Sequence, residues 1–330
     1  MNRRDFLKQS TVLTGATGLG ISTAPAFAQA SPEIIRVGHL VGICMSPLFY
    51  ADAMGYFKDE KLNVELKFMP NPGDAMTALT SGSLGMVHVP FTNLTVAAQN
   101  GAPVRIIAGS GAGGIFLIAQ SATGIKNIAD LQKAKGKGLK IGTMRVTTFE
   151  LTTYRLLQNA GLKYDDFQMV WFNDVVSLAA AFEAKALDLV THVEPFATNL
   201  VDKMGGVPIG SNLDVWGKDG PDCVTSTRAD FLEKNPDAVR RYIKALLRAD
   251  REIKASPAKA IEAMDKGKYY RVNKEVLTAS LPRQMPQVDL TRGGDKGMEI
   301  AINDMIALGY LKRNPEGLMD FRLLREAIKG

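Results

Sequence analysis

The 330-residue chain is 46% hydrophobic and 22% charged, with a formal net charge of +6. That balance excludes a disordered chain, and the absence of a long Lys/Arg block excludes a nucleic-acid-binding stripe. Only two cysteines occur, with no C-x-x-C and no H-E-x-x-H, so no metal or cofactor is expected.

The chain opens on Arg3 and Arg4, then Phe6, Leu7 and Lys8, followed by the weakly apolar STVLTGATGLGIST and the small-residue APAFAQA. A basic start, a short apolar run and an A-x-A site describe a signal peptide, not a membrane span. The paired arginines match a twin-arginine export signal, which a receptor reads and which does not anchor the protein. Residues 1–30 are therefore expected to be removed near Ala28 or Ala30, leaving the mature protein in the periplasm. Losing Arg3, Arg4, Lys8 and Asp5 removes a net +2 and leaves about +4 on about 300 residues, enough for two domains. The first cysteine, Cys44, lies too far in for a lipid anchor at the signal.

Beyond the signal, strands and helices alternate. IIRVGHL is a strand, SPLFYADAMGYF a helix with Pro47 in its first turn, and NVELKFM a second strand. GDAMTALTSG is a helix closed at Gly82, GMVHV a third strand, FTNLTVAAQN a helix and VRIIAG a fourth strand. After the strand GIFLIAQ and the helix IKNIADLQKAKGKG the cycle restarts with LKIGT, TTFELTTYRLLQNAG, QMVWF, SLAAAFEAKA, DLVTHV and FATNLVDKMG. CVTST is a further strand, and the remainder is mainly helical, led by NPDAVRRYIKALLRADREIKAS. This alternation predicts two α/β lobes with parallel sheets. The expected boundaries are 31–120 with 222–330 for the first lobe and 121–221 for the second, so the chain crosses twice between them and leaves a cleft. AGSGAGG (Ala108 to Gly114) is followed by a strand, so it belongs to that crossing and is no nucleotide loop.

Each lobe carries nearly the same phrase, VHVPF (Val87 to Phe91) and THVEPF (Thr191 to Phe196). Loops beyond the carboxyl ends of such strands line a ligand crevice, and the prolines both stop the strand and open the next helix. His88, Pro90, Thr92 and Asn93 in one copy and His192, Glu194 and Phe196 in the other are candidate contacts. Burial of either histidine, and helix capping by Glu194, are the competing structural readings. The other strand-end loops add Cys44, Met45 and Ser46, then Gly73 and Asp74, and finally Arg145, Thr147 and Thr148, whose hydroxyls and helix-start amides suit an anion. Trp171, Trp216 and Phe196 are possible stacking surfaces. A disulfide between Cys44 and Cys223 is allowed by number, yet two separate thiols are the expectation.

The stretch from VGHLVGICMSPLFYADAMGYF to SGSLGMVHV, together with IKNIADLQKAKGKGLKIGT, AAFEAKALDLVTHVEPF and FLEKNPDAVRRYIKALLRA, resembles the periplasmic solute-binding proteins of the nitrate/sulfonate/taurine type. That family also includes binders of thiamine-pyrimidine precursors. The resemblance spans nearly all of the mature chain, though Gly85 stands where many relatives have Asp. It implies a type II periplasmic binding protein fold, two α/β lobes on a two-strand hinge. It also implies a monomeric, non-enzymatic receptor that closes over a small molecule and docks on the membrane permease of an ABC importer. Periplasmic binding proteins are a standard example of hinge closure around a ligand. The substrate-reading loops match no subfamily. Arg145 and the helix starts favour a small organic anion of sulfonate or carboxylate type, and Glu194 with the histidines favours a nitrogen heterocycle next. A pyrimidine-precursor synthase and a periplasmic sensory partner are the remaining alternatives.

Overall fold

The protein is represented by a computed structural model that describes residues 34–217 and 220–329; the expected export signal lies outside them. Eleven strands form two sheets among these residues. The strands are Ile34–His39 (β1), Asn63–Phe68 (β2), Met86–Pro90 (β3), Val104–Gly113 (β4), Ile115–Ala119 (β5) and Lys140–Met144 (β6). They continue as Gln168–Phe172 (β7), Leu189–Val193 (β8), Val207–Ser211 (β9), Pro221–Arg228 (β10) and Gln284–Pro286 (β11). The first sheet has the order β11-β4-β10-β3-β1-β2 and the second β7-β6-β8-β5-β9.

Both sheets share one plan. In the first, β1 lies parallel between β2 and β3; in the second, β6 lies parallel between β7 and β8. The next position in each sheet is antiparallel: β10 against β3 and β4, and β5 against β8 and β9. The expectation of parallel sheets therefore fails at β10 and β5, and again at the short edge strand β11, antiparallel to β4. The reason is connectivity: β5 arrives from the first sheet and β10 from the second, so neither has a crossover helix of its own to turn it round.

The first crossing falls at Gly114, between β4 and β5, so residues 115–119 belong to the second sheet and not to the first lobe as expected from the sequence. Gly113 and Gly114 both have positive φ (75° and 76°), and a Cβ on Gly114 would lie 2.5 Å from the Cβ of Gln284. The return follows β9, a strand the sequence reading did not separate, and the short helix Asn212–Trp216.

The helices keep their expected places with adjusted ends. SPLFYADAMGYF splits into Ser46–Ala53 and Tyr56–Asp59 at Gly55, and the basic helix shortens to Ile128–Lys133. The long helix Pro236–Ala255 packs its apolar face on helix Ser46–Ala53, and helix Gly294–Ala307 packs on helix Thr148–Asn159. The C-terminal stretch therefore covers both lobes.

β3 and β8, which carry the doubled phrase, are buried along their whole length. His88 Nδ1 lies 2.9 Å from Ser110 Oγ, which itself donates to the Cys44 carbonyl, and His88 Nε2 lies 2.9 Å from Tyr242 Oη. With the Ser110 proton committed to Cys44, His88 Nδ1–H donates and Nε2 accepts, which is the neutral ring. His192 Nε2 donates to the Val175 carbonyl at 2.8 Å, and its Nδ1 accepts from the Val193 amide at 2.9 Å, again a neutral ring. Burial lowers the two pKa values from 6.5 to about 3 and about 4.

This packing sets two expected outcomes. Gly114→Ala combines a left-handed backbone with a collision at Gln284, and should cost about 2–4 kcal/mol in urea unfolding at unchanged m-value. Because both histidines are depressed in the fold, their contribution is complete above the unfolded value of 6.5 and is lost as pH falls toward 4 and 3. Unfolding free energy should drop by about 1.4 kcal/mol per pH unit for each ring below pH 6.5. His192→Gln should remove one such share of slope between pH 6.5 and pH 5; an unchanged slope would show that His192 is charged or hydrated in the native state.

Candidate functional site

The strand-end loops of the two sheets face each other across a narrow cavity of ≈ 50 Å³. On the first-lobe side Leu40, Val41 and Gly42 follow β1, Met69, Pro70 and Pro72 follow β2, and Pro90 ends β3. Cys44, Asp222 and Cys223 complete that wall. Met144, Thr147, Phe149, Val175 and Val193 face them from the second lobe. The walls are mainly apolar, and among the described residues no Lys or Arg lines this inner chamber.

A second hollow of ≈ 350 Å³ shares Pro72, Met144 and Thr147 with the first and forms its mouth. Here Arg145 stacks its guanidinium 4.3 Å over the Trp171 ring, and Asn71, Gly73 and Asn93 add polar groups. Asn93 Oδ1 is buried there without a protein hydrogen-bond partner.

The lobes are closed. Thr148 Oγ1 donates to Asp222 Oδ1 at 2.7 Å, Thr92 Oγ1 donates to the Val146 carbonyl at 2.9 Å, and the Ile43 amide donates to the Glu194 carbonyl at 3.0 Å. Further along the helix that starts at Thr148, Glu150 Oε1 accepts from Tyr310 Oη at 2.8 Å, and Arg155 Nε donates to Asp304 Oδ2 at 2.9 Å. One helix of the second lobe thus carries three separate bonds to first-lobe or C-terminal groups.

Asp222 is the polar centre of the chamber. Its Oδ2 accepts from Gln284 Nε2 at 2.8 Å and faces Cys223 Sγ at 3.6 Å. Burial raises its pKa, opposed by the Thr148 hydroxyl and the other donors. The Cys44 and Cys223 sulphurs touch at 2.8 Å, and burial pushes the Cys44 thiol up to about 12.

The residues singled out in the sequence divide into three groups. Cys44, Pro90 and Thr147 line the chamber, and Gly73, Asn93, Arg145 and Thr147 line the mouth. Thr92 and Thr148 hold the lobes together from behind the wall. The rest lie away from both hollows. Met45 and Ser46 are buried in the first lobe, and Asp74 bonds to Asn71, the helix cap. His88 and His192 are fixed inside the lobes, with Phe196 packed on His192 at 4.9 Å. Glu194 also turns away: its Oε2 accepts from the Thr198 amide at 3.0 Å, and its Oε1 lies 3.7 Å from Arg283 Nη1. Its capping of the following helix is what draws the carboxylate back from the cavity. Asp222, Cys223, Met69, Met144 and Phe149 were missed. Asp222 gave no signal, because it sits at the start of a strand whose place in the first sheet depends on the long return.

A family model described as the NMT1-like family matches residues 28–265. A Brucella abortus protein named as a binding protein is 26% identical over 323 residues, covering 94% of this chain and 95% of its own. A 4-amino-5-hydroxymethyl-2-methylpyrimidine phosphate synthase of Saccharomyces cerevisiae is 25% identical over 235 residues, covering 65% of this chain and 64% of its own. Among solved structures, a ligand-binding component of an ABC-type import system from Staphylococcus aureus, with zinc bound, superposes with a TM-score of 0.77. It is 19% identical and covers 89% of this chain and 99% of its own. The periplasmic nitrate-binding protein of Synechocystis superposes with a TM-score of 0.76 at 17% identity, covering 90% and 89%. The periplasmic aliphatic sulphonate-binding protein of Escherichia coli does so at 0.71 and 16%, covering 87% and 91%. Two mixed sheets around a closed cleft are the fold of these importer receptors, and with the family model spanning more than half of its length the chain belongs to the NMT1-like family.

Proposed function

We propose that this protein is the periplasmic receptor of an ABC importer, a monomer that captures a small molecule between its lobes and presents it to a membrane permease without transforming it. The observation that carries the reading is the closed inter-lobe chamber, sealed by Thr148–Asp222, Thr92–Val146 and Ile43–Glu194, bonds that exist only when the lobes meet. A ligand touching both walls gains contacts in the closed state alone, so it draws the population to that state.

The chamber favours a compact, mainly apolar ligand carrying an N–H donor, of the nitrogen-heterocycle class. Met69, Met144, Phe149 and the prolines suit a small flat ring reaching from the mouth into the chamber, where Asp222 is an acceptor with no basic side chain beside it among the described residues of the inner wall, and Asn93 Oδ1 is an acceptor at the mouth. A bare sulfonate or nitrate would meet a buried carboxyl there with no compensating cation, an arrangement that costs several kcal/mol. Arg145 at the mouth supports a second reading, an aromatic carboxylate with its ring in the chamber and its anionic end outside. A synthase activity like that named for the yeast relative has less support. His88 and His192 are locked into backbone and hydroxyl hydrogen bonds away from the chamber, so neither is free to move a proton at a bound substrate.

Thermal-shift measurement of the purified protein against pyrimidines, aromatic carboxylates, alkanesulfonates and nitrate tests this. At a hundred-fold excess over Kd a true ligand contributes about 2.7 kcal/mol and should raise Tm by roughly 5 °C. A nitrogen heterocycle is expected to do so. A shift confined to alkanesulfonates or nitrate would sink the ligand assignment, and turnover of any of them would sink the receptor reading. Thr148→Val should weaken the binding about ten-fold, a loss of about 1.4 kcal/mol, chiefly through faster release.

A further inference from the structure

The chain has two cysteines, 179 residues apart, and the fold brings their side chains into contact on the wall of the ligand chamber. We propose that Cys44 and Cys223 form a reversible dithiol–disulfide couple, a redox modification site set into the cleft.

The juxtaposition is built, not incidental. Cys223 lies in β10 opposite Gly111 of β4. The backbone of Cys44 packs directly onto Gly111, where a Cβ would come within 2.6 Å of the Cys44 Cα. A residue without a side chain at position 111 is therefore what lets the loop after β1 descend to the level of β10. Cys44 is pinned at that depth from both ends. Its amide donates to Gln284 Oε1 at 3.0 Å, and its carbonyl accepts from Ser110 Oγ at 2.5 Å. The sulphurs then meet at 2.8 Å with no side chain between them. Both residues belong to the first lobe, so a bond between them leaves the hinge free and the cleft able to open and close. Opening the lobes also exposes the pair, because both line the chamber.

The chemistry is a two-step exchange with a small external disulfide. One protein thiolate attacks the external disulfide and releases one small thiol. The second protein thiolate then attacks the mixed disulfide, forming the Cys44–Cys223 bond and releasing the second small thiol. The protein loses two hydrogens and two electrons, and the external disulfide becomes two thiols. The exchange balances whichever thiol attacks first, and burial raises both, so attack follows exposure of the pair on opening. Oxidation also removes the Cys223 S–H that faces Asp222 Oδ2, so the chamber loses a donor at its polar centre.

The test equilibrates the full chain in oxidised glutathione and, in parallel, in dithiothreitol, followed by thiol titration in denaturant, intact mass and thermal unfolding. The oxidised sample should show no titratable thiol, a monomer lighter by two hydrogens, and a Tm raised by about 5–10 °C, all reversed by dithiothreitol. Cys44→Ser and Cys223→Ser should each keep one titratable thiol or a glutathione adduct and gain no Tm in oxidised glutathione. If either variant fails to fold, the oxidised and reduced wild-type samples decide alone. Two free thiols after equilibration, glutathione adducts on both, or disulfide-linked dimers would overturn the proposal. So would thiols that become titratable only after a chelator, which would make the pair, with Asp222, a metal site.

Discussion

Each sheet of this protein borrows a strand from a chain segment that has just left the other. β5 leaves the first sheet at Gly114 and inserts beside β8; β10 follows β9 of the second sheet and the helix Asn212–Trp216 and inserts beside β3. This exchange is the constraint on which the remaining architecture rests. It makes each lobe's core incomplete without a strand delivered through the hinge, so neither lobe is a simple run of sequence. The parallel strands β1, β3, β6 and β8 then direct their carboxyl ends, and the loops beyond, into the space between the lobes.

The same exchange creates the polar centre of the cleft. β10 enters the first sheet antiparallel, so its first residues, not its last, stand at the cleft edge beside the ends of the parallel strands. Asp222 and Cys223 are those residues. A carboxyl there is desolvated on closure and is held by Thr148 from the opposite lobe and Gln284 from its own. The Gln284 bond stays within the first lobe, whereas the Thr148 bond is made only while the lobes are together, so Asp222 ties its own desolvation to closure.

Much of the fold was legible because its signals are local. Periodicity gave nearly every strand and helix, and the doubled phrase correctly marked two equivalent central strands. What stayed hidden is long-range. Periodicity gives no strand direction, so the antiparallel placement of β5 and β10 was out of reach, and with it Asp222 and the contact between Cys44 and Cys223. The short strand β9 was missed because VPIGS, with Pro208 and Gly210, lacks the β-branched density of its neighbours. Of the loop residues, Thr147 caps the helix beginning at Thr148 and lines both hollows, and Arg145 lines the outer one.

Glu194 shows the limit of position as an argument. It differs between the two copies of the phrase, which marks it as special, and it does lie past a strand end. Yet the specialisation serves the hinge side. Its backbone carbonyl takes the Ile43 amide across the cleft, its carboxylate caps the helix beginning at Phe196, and Arg283 from the C-terminal stretch approaches the outer oxygen. His88 has no such freedom, since Ser110 and Tyr242 take both ring nitrogens. The first copy ends directly in Pro90, and that proline itself meets the chamber. One inserted residue therefore turns a carboxylate back onto its own helix and sets a backbone carbonyl against the opposite lobe, while Val193 before it still lines the chamber as Pro90 does in the first copy.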